Sequence, residues 1–258
     1  MLNIKQSLLA AAMGVASVNA LADGFYLSGS LSYNEMDDTY NDGSFTQQFI
    51  TGPGTAIPAG VVLPVGTAVG WNTDVDSGAG ANLAIGWQMN QLRFEAEYAY
   101  ASHDVDSHFN VMAAGIDLSN EDAGVLVSGL PGNLGISVAD LVADGAGDFT
   151  ADYLFINAFY DFDISWTLKP YIGAGIGNAW VDVEYNPSGV GIIDDDDSVF
   201  AYQVMAGLNY WCSEQLSFFG GLRWRQTDDI EVRADLLPAS FEIENESWLA
   251  EIGARWKF

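Results

Sequence analysis

The sequence predicts an all-β protein: an eight-stranded, antiparallel, up-and-down transmembrane β-barrel. Three observations predict it. Eight segments alternate apolar and polar residues with a period of two, each roughly the 9–11 residues that a tilted membrane strand needs. The connections between them alternate between tight turns and long loops, the layout of a membrane barrel. No charged residue lies on the apolar stripe of any segment.

In the first strand one face reads Phe25, Leu27, Gly29, Leu31, Tyr33 and the other Tyr26, Ser28, Ser30, Ser32, Asn34. The second sets Leu83, Ile85, Trp87, Met89 against Asn82, Ala84, Gly86, Gln88. The third sets Leu92, Phe94, Ala96, Tyr98, Tyr100 against Arg93, Glu95, Glu97, Ala99. The fourth, about 152–162, is apolar on both faces; Leu154, Ile156, Ala158, Tyr160 and Phe162 are placed outward, which leaves Asn157 and Asp161 inward. The fifth, about 169–181, opposes Ile172, Ala174, Ile176 to Tyr171, Gly173, Gly175, Gly177. The sixth opposes Phe200, Tyr202, Val204, Ala206, Leu208, Tyr210 to Gln203, Met205, Gly207, Asn209. The seventh gives Leu216, Phe218, Gly220, Leu222, Trp224 against Ser217, Phe219, Gly221, Arg223, Arg225. The eighth gives Trp248, Ala250, Ile252, Ala254, Trp256, Phe258 against Leu249, Glu251, Gly253, Arg255, Lys257.

Tight turns fall at Asn90-Gln91, near Asp163-Ile164-Ser165 and near Ser213-Glu214. Residues 23–258 therefore read as one barrel with four long extracellular loops, about 36–76, 103–150, 182–198 and 226–246. A soluble lipocalin-type barrel shares the up-and-down topology but puts its apolar residues inside. Charge sorting favours the membrane. Arg93, Lys169, Arg223, Arg225, Arg255 and Lys257 all fall on polar stripes, as expected where Lys or Arg on the lipid face costs about 2–4 kcal/mol at midplane. Aromatics gather at both ends of the apolar stripes, as interfacial rings do. Closure is also the only way that strands leave no unpaired backbone in hydrocarbon.

Residues 1–22 read as a secretory signal peptide. Lys5 lies in a short n-region, an apolar run follows from Leu8 to Ala16, and Ala20-Leu21-Ala22 gives a small-residue cleavage pattern. The apolar core is shorter than the roughly 20 residues of a membrane helix. Removing this segment takes away only Lys5, leaving seven basic and 35 acidic residues, net charge -28. Such an acidic chain argues against nucleic acid as a partner, because phosphate is repelled. Its 49% hydrophobic content excludes a disordered acidic tail. The one cysteine, Cys212, builds neither a disulfide framework nor a Cys-based metal site, and reads as a small apolar residue near the periplasmic end.

The C-terminus, Glu251-Ile252-Gly253-Ala254-Arg255-Trp256-Lys257-Phe258, resembles the assembly signal of bacterial outer-membrane barrels, with Gly253, Trp256 and Phe258 as its marks. Gly24-Phe25-Tyr26-Leu27-Ser28-Gly29 and the run Lys169 to Gly177 resemble the first and fifth strands of OmpA/OmpX-type barrels and the related surface-antigen and opacity proteins. The resemblance covers nearly all of the chain after the leader. It implies the outer membrane, both termini periplasmic, with membrane lipid, lipopolysaccharide and the barrel-assembly machinery as partners. The peptidoglycan-binding domain of the OmpA family has no counterpart in the sequence.

The lumen is the first candidate site. Arg93, Glu95, Glu97, Arg223, Arg225, Glu251, Arg255 and Lys257 point inward, and buried charges must be paired. An eight-stranded barrel is just wide enough to be filled by side chains, so a closed ion-pair network is expected, with a gated ion path as its rival. Glycines at 173, 175 and 177 leave room for Phe155 and Phe159. Asp194-Asp195-Asp196-Asp197 in the third loop lacks the spacing of a calcium loop and reads as solvated. Divalent-cation bridging to lipopolysaccharide is the functional alternative there. His103 and His108 with Asp104 and Asp106 form a weak metal pattern. Ser102-His103 and Ser107-His108 are adjacent along one strand and point to opposite faces, so neither is a nucleophile–base pair. Ser137 with Asp140 resembles a capping box. Val61-Val62-Leu63 and Val125-Leu126-Val127 are expected to extend the hairpins. No cofactor, catalytic residue or metal site is assigned. The expected role is a structural or surface-interaction one through acidic loops, with a small-conductance channel as the alternative and a lipid-modifying enzyme as the second.

Overall fold

A computed structural model of the chain describes residues 24–128 and 132–258; the leader at 1–22 lies outside the described residues. In chain order the strands are β1 (Phe25–Met36), β2 (Thr39–Phe45), β3 (Phe49–Ile50), β4 (Val62–Leu63), β5 (Ala68–Val75), β6 (Gly78–Met89), β7 (Leu92–Ala113) and β8 (Ile116–Asp117). They continue as β9 (Gly147–Asp161), β10 (Leu168–Tyr185), β11 (Ile193–Trp211), β12 (Leu216–Thr227), β13 (Ile230–Arg233), β14 (Ala239–Ile243) and β15 (Glu246–Lys257).

The long strands close a ring. β1 pairs with β6 and β15, β7 with β6 and β9, β10 with β9 and β11, and β12 with β11 and β15, all antiparallel. Each of these eight strands has two backbone neighbours, so the ring has no edge. This is the predicted barrel, and no described helix is long and apolar enough to cross a membrane.

β7, β9, β10 and β11 run well beyond the predicted membrane segments. Along them the alternation continues, but its polarity inverts. On β10, Ile172 and Ile176 face outward and are exposed, while Tyr171 faces the lumen. Higher on the same strand Val181, Val183 and Tyr185 face inward and are buried, while Asp182 and Glu184 face outward. On β10 the parity of the residues is unbroken and only the side that must be apolar changes, whereas β7 shifts phase at two irregularities against β5. The lower tier is apolar outside, as hydrocarbon demands. The upper tier is apolar inside, as water demands.

The upper tier is built from the stretches expected as loops. β5 pairs with the upper half of β7, β2 with β5, β14 with β2 and β13 with β14. β13 reaches β11 through a bridge between Ile193 and Ala234. Beside that bridge Arg233 N–H donates to Asp195 Oδ2 and Glu231 N–H to Asp197 Oδ2, each at 2.9 Å. A second ring thus stands on the first and shares β7, β9, β10 and β11 with it. Its core packs Trp71 against Phe241 at 4.5 Å between ring centroids, beside Phe45, Val181, Ile193, Ile230 and Ile243. A short helix, α1 (Val138–Val142), adds Val138, Leu141 and Val142 to this core. Ser137 caps it, its Oγ accepting from Asp140 N–H at 3.0 Å.

Two expectations change and a third holds in part. Asp194-Asp195-Asp196-Asp197 is strand, not solvated loop, because its backbone pairs with residues 181–184 of β10, and two of its carboxylates stand in as acceptors for β13 amides. Val125-Leu126 forms a buried 3₁₀ turn after Asp122 rather than a hairpin extension. Val62-Leu63 does form a strand, though of two residues, against Phe49-Ile50.

Ile176 and Glu184 share one stripe of β10 on opposite sides of the polarity switch. Ile176→Lys is expected to destabilise the barrel by about 2–4 kcal/mol, and Glu184→Lys to stay within about 0.5 kcal/mol of the parent. Urea unfolding of both variants from lipid vesicles measures the contrast; equal losses would refute the two-tier reading.

Candidate functional site

Every inward stripe of the lower tier converges on the lumen. Arg223 donates to both oxygens of Glu97 and, through Nη2, to Glu251 Oε2 at 3.0 Å. Arg93 Nη1 donates to Glu95 Oε1 at 2.9 Å and its Nε to Asp161 Oδ2 at 2.8 Å. Arg255 lies 4.0 Å from Glu95 and donates to Asn209 Oδ1 at 3.1 Å. Arg225 has no carboxylate at ion-pair distance among the described residues. Its guanidinium lies 4.2 Å over the Tyr153 ring and 5.2 Å from that of Phe155, and its Nε donates to Gln203 Oε1 at 3.3 Å. Four arginines thus face Glu95, Glu97, Asp161 and Glu251, and the set balances to zero charge.

Seven of the eight residues predicted for the lumen network meet there. Lys257 does not. It lines an open vestibule of about 660 Å³ at the short-turn end, with Lys169 and Trp211, and makes no ion pair among the described residues. Its place at the very end of β15 leaves it in reach of water, so burial does not force a partner on it. Tyr26, Asp161, Gln203 and Asn209 belong to the network and were not assigned to it. Tyr26 O–H donates to Glu95 Oε1 at 2.6 Å, and Gln203 Nε2 to Asn157 Oδ1 at 2.8 Å. All four sit on inward stripes, which was their available signal.

Aromatic rings fill what the charges leave. A Cβ on Gly173 would lie 2.3 Å from the Phe159 ring, and one on Gly177 2.7 Å from that of Phe155. Gly253 of the C-terminal signal makes the same allowance for Phe219, while Trp256 and Phe258 are exposed on the lipid face. The cavity left between Glu95, Glu97, Phe159, Tyr171, Arg223 and Arg255 is about 20 Å³, room for about one water molecule.

The outer rim of the apolar belt is marked by rings with polar handles. Tyr98 O–H donates to Asp152, Tyr202 O–H to Gln226 Oε1 and Trp224 Nε1–H to Glu246 Oε1, the last two at 2.6 Å. Above it the exterior turns acidic. Asp104 on β7 stands opposite Asp148 on β9, Asp148 opposite Glu184 on β10, and Glu184 opposite Asp194 on β11. Opposed residues share a face, so these exposed carboxylates form one row, with Asp182 opposite Asp196 below it. A second row runs Glu231, Glu242, Asp42 across β13, β14 and β2. Other acids are used structurally. Asp122 accepts Leu134 and Gly135 N–H at 2.7 Å, Asp144 accepts Ser188 N–H at 2.8 Å, and Glu121 accepts Thr55 and Ala56 N–H.

His103 and His108 are buried in the upper tier. Their ring nitrogens meet Asp76 O at 3.1 Å and Thr73 Oγ1 at 2.8 Å, not Ser102 or Ser107. No group of three or more His, Cys, Asp or Glu is arranged to hold a metal ion among the described residues. His108 packs against Tyr185 and Trp71, with ring centroids 4.7 and 6.3 Å away. Burial pushes its pKa down to about 4, against a smaller opposing pull from Asp144.

The description "surface antigen" belongs to the family model that matches residues 71–233. No curated protein matches the sequence. Among solved structures the chain is similar to neisserial surface protein A, with 16% identity over 93% of this chain and 100% of that one, TM-score 0.48. It is similar to OprG of Pseudomonas aeruginosa, with 14% identity over 92% and 97%, TM-score 0.49. The same holds for Ail of Yersinia pestis, solved with a heparin analogue, with 11% identity over 91% and 100%, TM-score 0.40.

Two outcomes test this geometry. Arg223→Ala leaves Glu97 and Glu251 buried without their cation and is expected to cost about 3–5 kcal/mol, read by urea unfolding in vesicles. His108 stays neutral in the fold while its unfolded counterpart takes up a proton below pH 6.5. The unfolded state then binds more protons, so its contribution to upper-tier stability is full above pH 6.5 and declines as pH falls toward 4. Protease resistance of the upper tier should decline over that window, and His108→Phe should flatten the decline.

Proposed function

The chain belongs to the surface-antigen family of bacterial outer-membrane β-barrel proteins, and from that premise we propose that it is a non-enzymatic surface-interaction protein. The lower tier anchors it in the outer membrane with both termini periplasmic. The upper tier stands outside the cell among lipopolysaccharide headgroups and presents its acidic exterior to them and to neighbouring surfaces. The observation that supports this most directly is the row Asp104, Asp148, Glu184, Asp194.

Opposed Cβ atoms on adjacent strands lie about 4.5–5.5 Å apart, and like charges so placed repel. The Debye length at physiological ionic strength is about 8 Å, so monovalent salt does not screen neighbours within the row. Divalent cations or basic groups relieve that repulsion, and phosphates held by the same cations complete a bridge. Carboxylate oxygens suit Ca²⁺, which tolerates flexible geometry, and hydrated Mg²⁺, which keeps several of its waters. The channel alternative is opposed by the closed charge network and the 20 Å³ lumen cavity. The lipid-modifying alternative is opposed by histidines that bond to Asp76 and Thr73 rather than to serine.

The refolded protein in phospholipid vesicles is expected to bind purified lipopolysaccharide in the presence of Mg²⁺ and to release it on chelation. A variant carrying Asp104→Asn, Asp148→Asn, Glu184→Gln and Asp194→Asn should lose most of that binding while keeping its heat-modifiable gel migration. Binding that ignores both chelator and variant would refute the reading. In planar bilayers the parent is expected to be silent, and discrete openings would promote the channel.

A further inference from the structure

β7 breaks register with β5 twice between Val105 and Met112, at Asp74/Val75 and at Gly70/Asn72. Bulges of this kind bend a strand and re-aim its side chains, and they gather beside functional sites. Asn110 in the second irregularity has φ 54°, in the left-handed region that a non-glycine residue seldom adopts. Between the two bulges the pairing is regular, with Asn72 opposite Phe109, Thr73 opposite His108 and Asp74 opposite Ser107.

A cleft of about 480 Å³ opens here, between this stretch of β7 and the end of α1. That size falls in the range of small-molecule sites, about 300–1,000 Å³. Phe109, Val111 and Val142 give it apolar walls, and His108 contributes to its lining. Ser107 Oγ–H donates to Asp74 Oδ2 at 3.3 Å and orients that carboxylate. Asp74 has no ion-pair partner among the described residues, and neither Lys nor Arg lines the cleft. Asp74 and the half-exposed Phe109 are diagonal neighbours on one face, a separation of about 7–8 Å.

We propose that this cleft binds an organic cation with an apolar body, an amine carried on a short aromatic or aliphatic frame. The ammonium pairs with Asp74. The apolar frame lies on Phe109, whose ring face also attracts a cation, and against Val111 and Val142. Asp74, and Asp144 close by, repel an anion of the same shape. His108 is neutral at pH 7 and adds no competing charge. This site is separate from the row of carboxylates on β7, β9, β10 and β11.

Phenethylamine is the probe, titrated into the refolded full-length protein and followed by calorimetry. Ethylamine lacks the ring, and phenylacetate reverses the charge. Saturable one-to-one binding of phenethylamine is expected, with ethylamine and phenylacetate much weaker. Asp74→Asn and Phe109→Ala should each weaken it by about tenfold, while Asp104→Asn/Asp148→Asn leaves it unchanged. All variants should keep heat-modifiable migration, which separates lost binding from lost folding. Three results would overturn the proposal: no saturable binding, ethylamine binding as well as phenethylamine, or a loss in the Asp104/Asp148 variant equal to that in Asp74→Asn. The last two would assign amine binding to the general negative field.

Discussion

The step in solvent at the edge of the membrane controls the rest of this molecule. A strand has one periodicity, two residues, and cannot shift phase without a bulge or a slip. Hydrocarbon requires the outward stripe to be apolar, and water requires the inward one to be. On β10 the chain meets both demands by exchanging residue types between stripes rather than by changing register, while β7 adds two bulges against β5. β10 goes from Ile176 outward to Val181 inward with its ladder to β9 and β11 uninterrupted. The aromatic rim is where the exchange happens, and its rings suit the place. Tyr98, Tyr202 and Trp224 each put an apolar body below and a polar bond above.

The same step explains the two kinds of interior. In the lower tier the inward stripe is free of the demand for apolar residues, and it carries charge. Removing an arginine or a carboxylate from water costs several kcal/mol per ion, so the charges persist only as a mutually satisfied set. Three arginines, Arg93, Arg223 and Arg255, meet the four carboxylates directly, while Arg225 rests on the rings of Tyr153 and Phe155 and on Gln203, and the Phe159 ring lies against Arg93. The set also ties strands that are not neighbours: Arg223 on β12 holds Glu97 on β7, across the lumen from it. The upper tier needs no such set, because Trp71, Phe241 and their neighbours make an ordinary apolar core.

The barrel was legible in the sequence because the lipid stripe leaves an uninterrupted mark. The lumen was legible for the same reason: once Leu92 and Phe94 are outward, Arg93 and Glu95 must be inward. The upper tier was not legible, although its signal was partly present. Val181, Val183 and Tyr185 continue the stripe of Gly173 to Gly177, but a rule that seeks apolar residues on the outward side stops at Trp180. The short strands carry less signal still, with two residues each in β3 and β4 and two register breaks in β7. The run Asp194 to Asp197 has no alternation at all. What makes it strand is its backbone ladder to residues 181–184 of β10, reinforced by the two β13 amides that its carboxylates receive, long-range partners that local sequence does not announce. Lys257 failed in the opposite way. Its parity is inward, but parity carries no height, and at the barrel mouth an inward residue is wet.

Charge follows the tiers as well. Of the seven basic residues after the leader, only Arg233 belongs to the upper tier; the others are lumen arginines or lysines of the short-turn mouth. The acids divide by use. Glu97 and Glu251 answer arginines, Asp122, Asp144, Asp195 and Asp197 hold backbone amides, and the row from Asp104 to Asp194 meets no cation among the described residues, though Glu184 accepts from Asn186 Nδ2 at 2.9 Å. A carboxylate bonded to an amide stabilises the fold, whereas one opposite another carboxylate opposes it. A sequence that keeps four such residues in one row, just above the membrane, retains a strain that any of four neutral side chains would remove. Neutralising that row would relieve the strain, and this repulsion is the physical ground of the proposal that the acidic exterior is a contact surface.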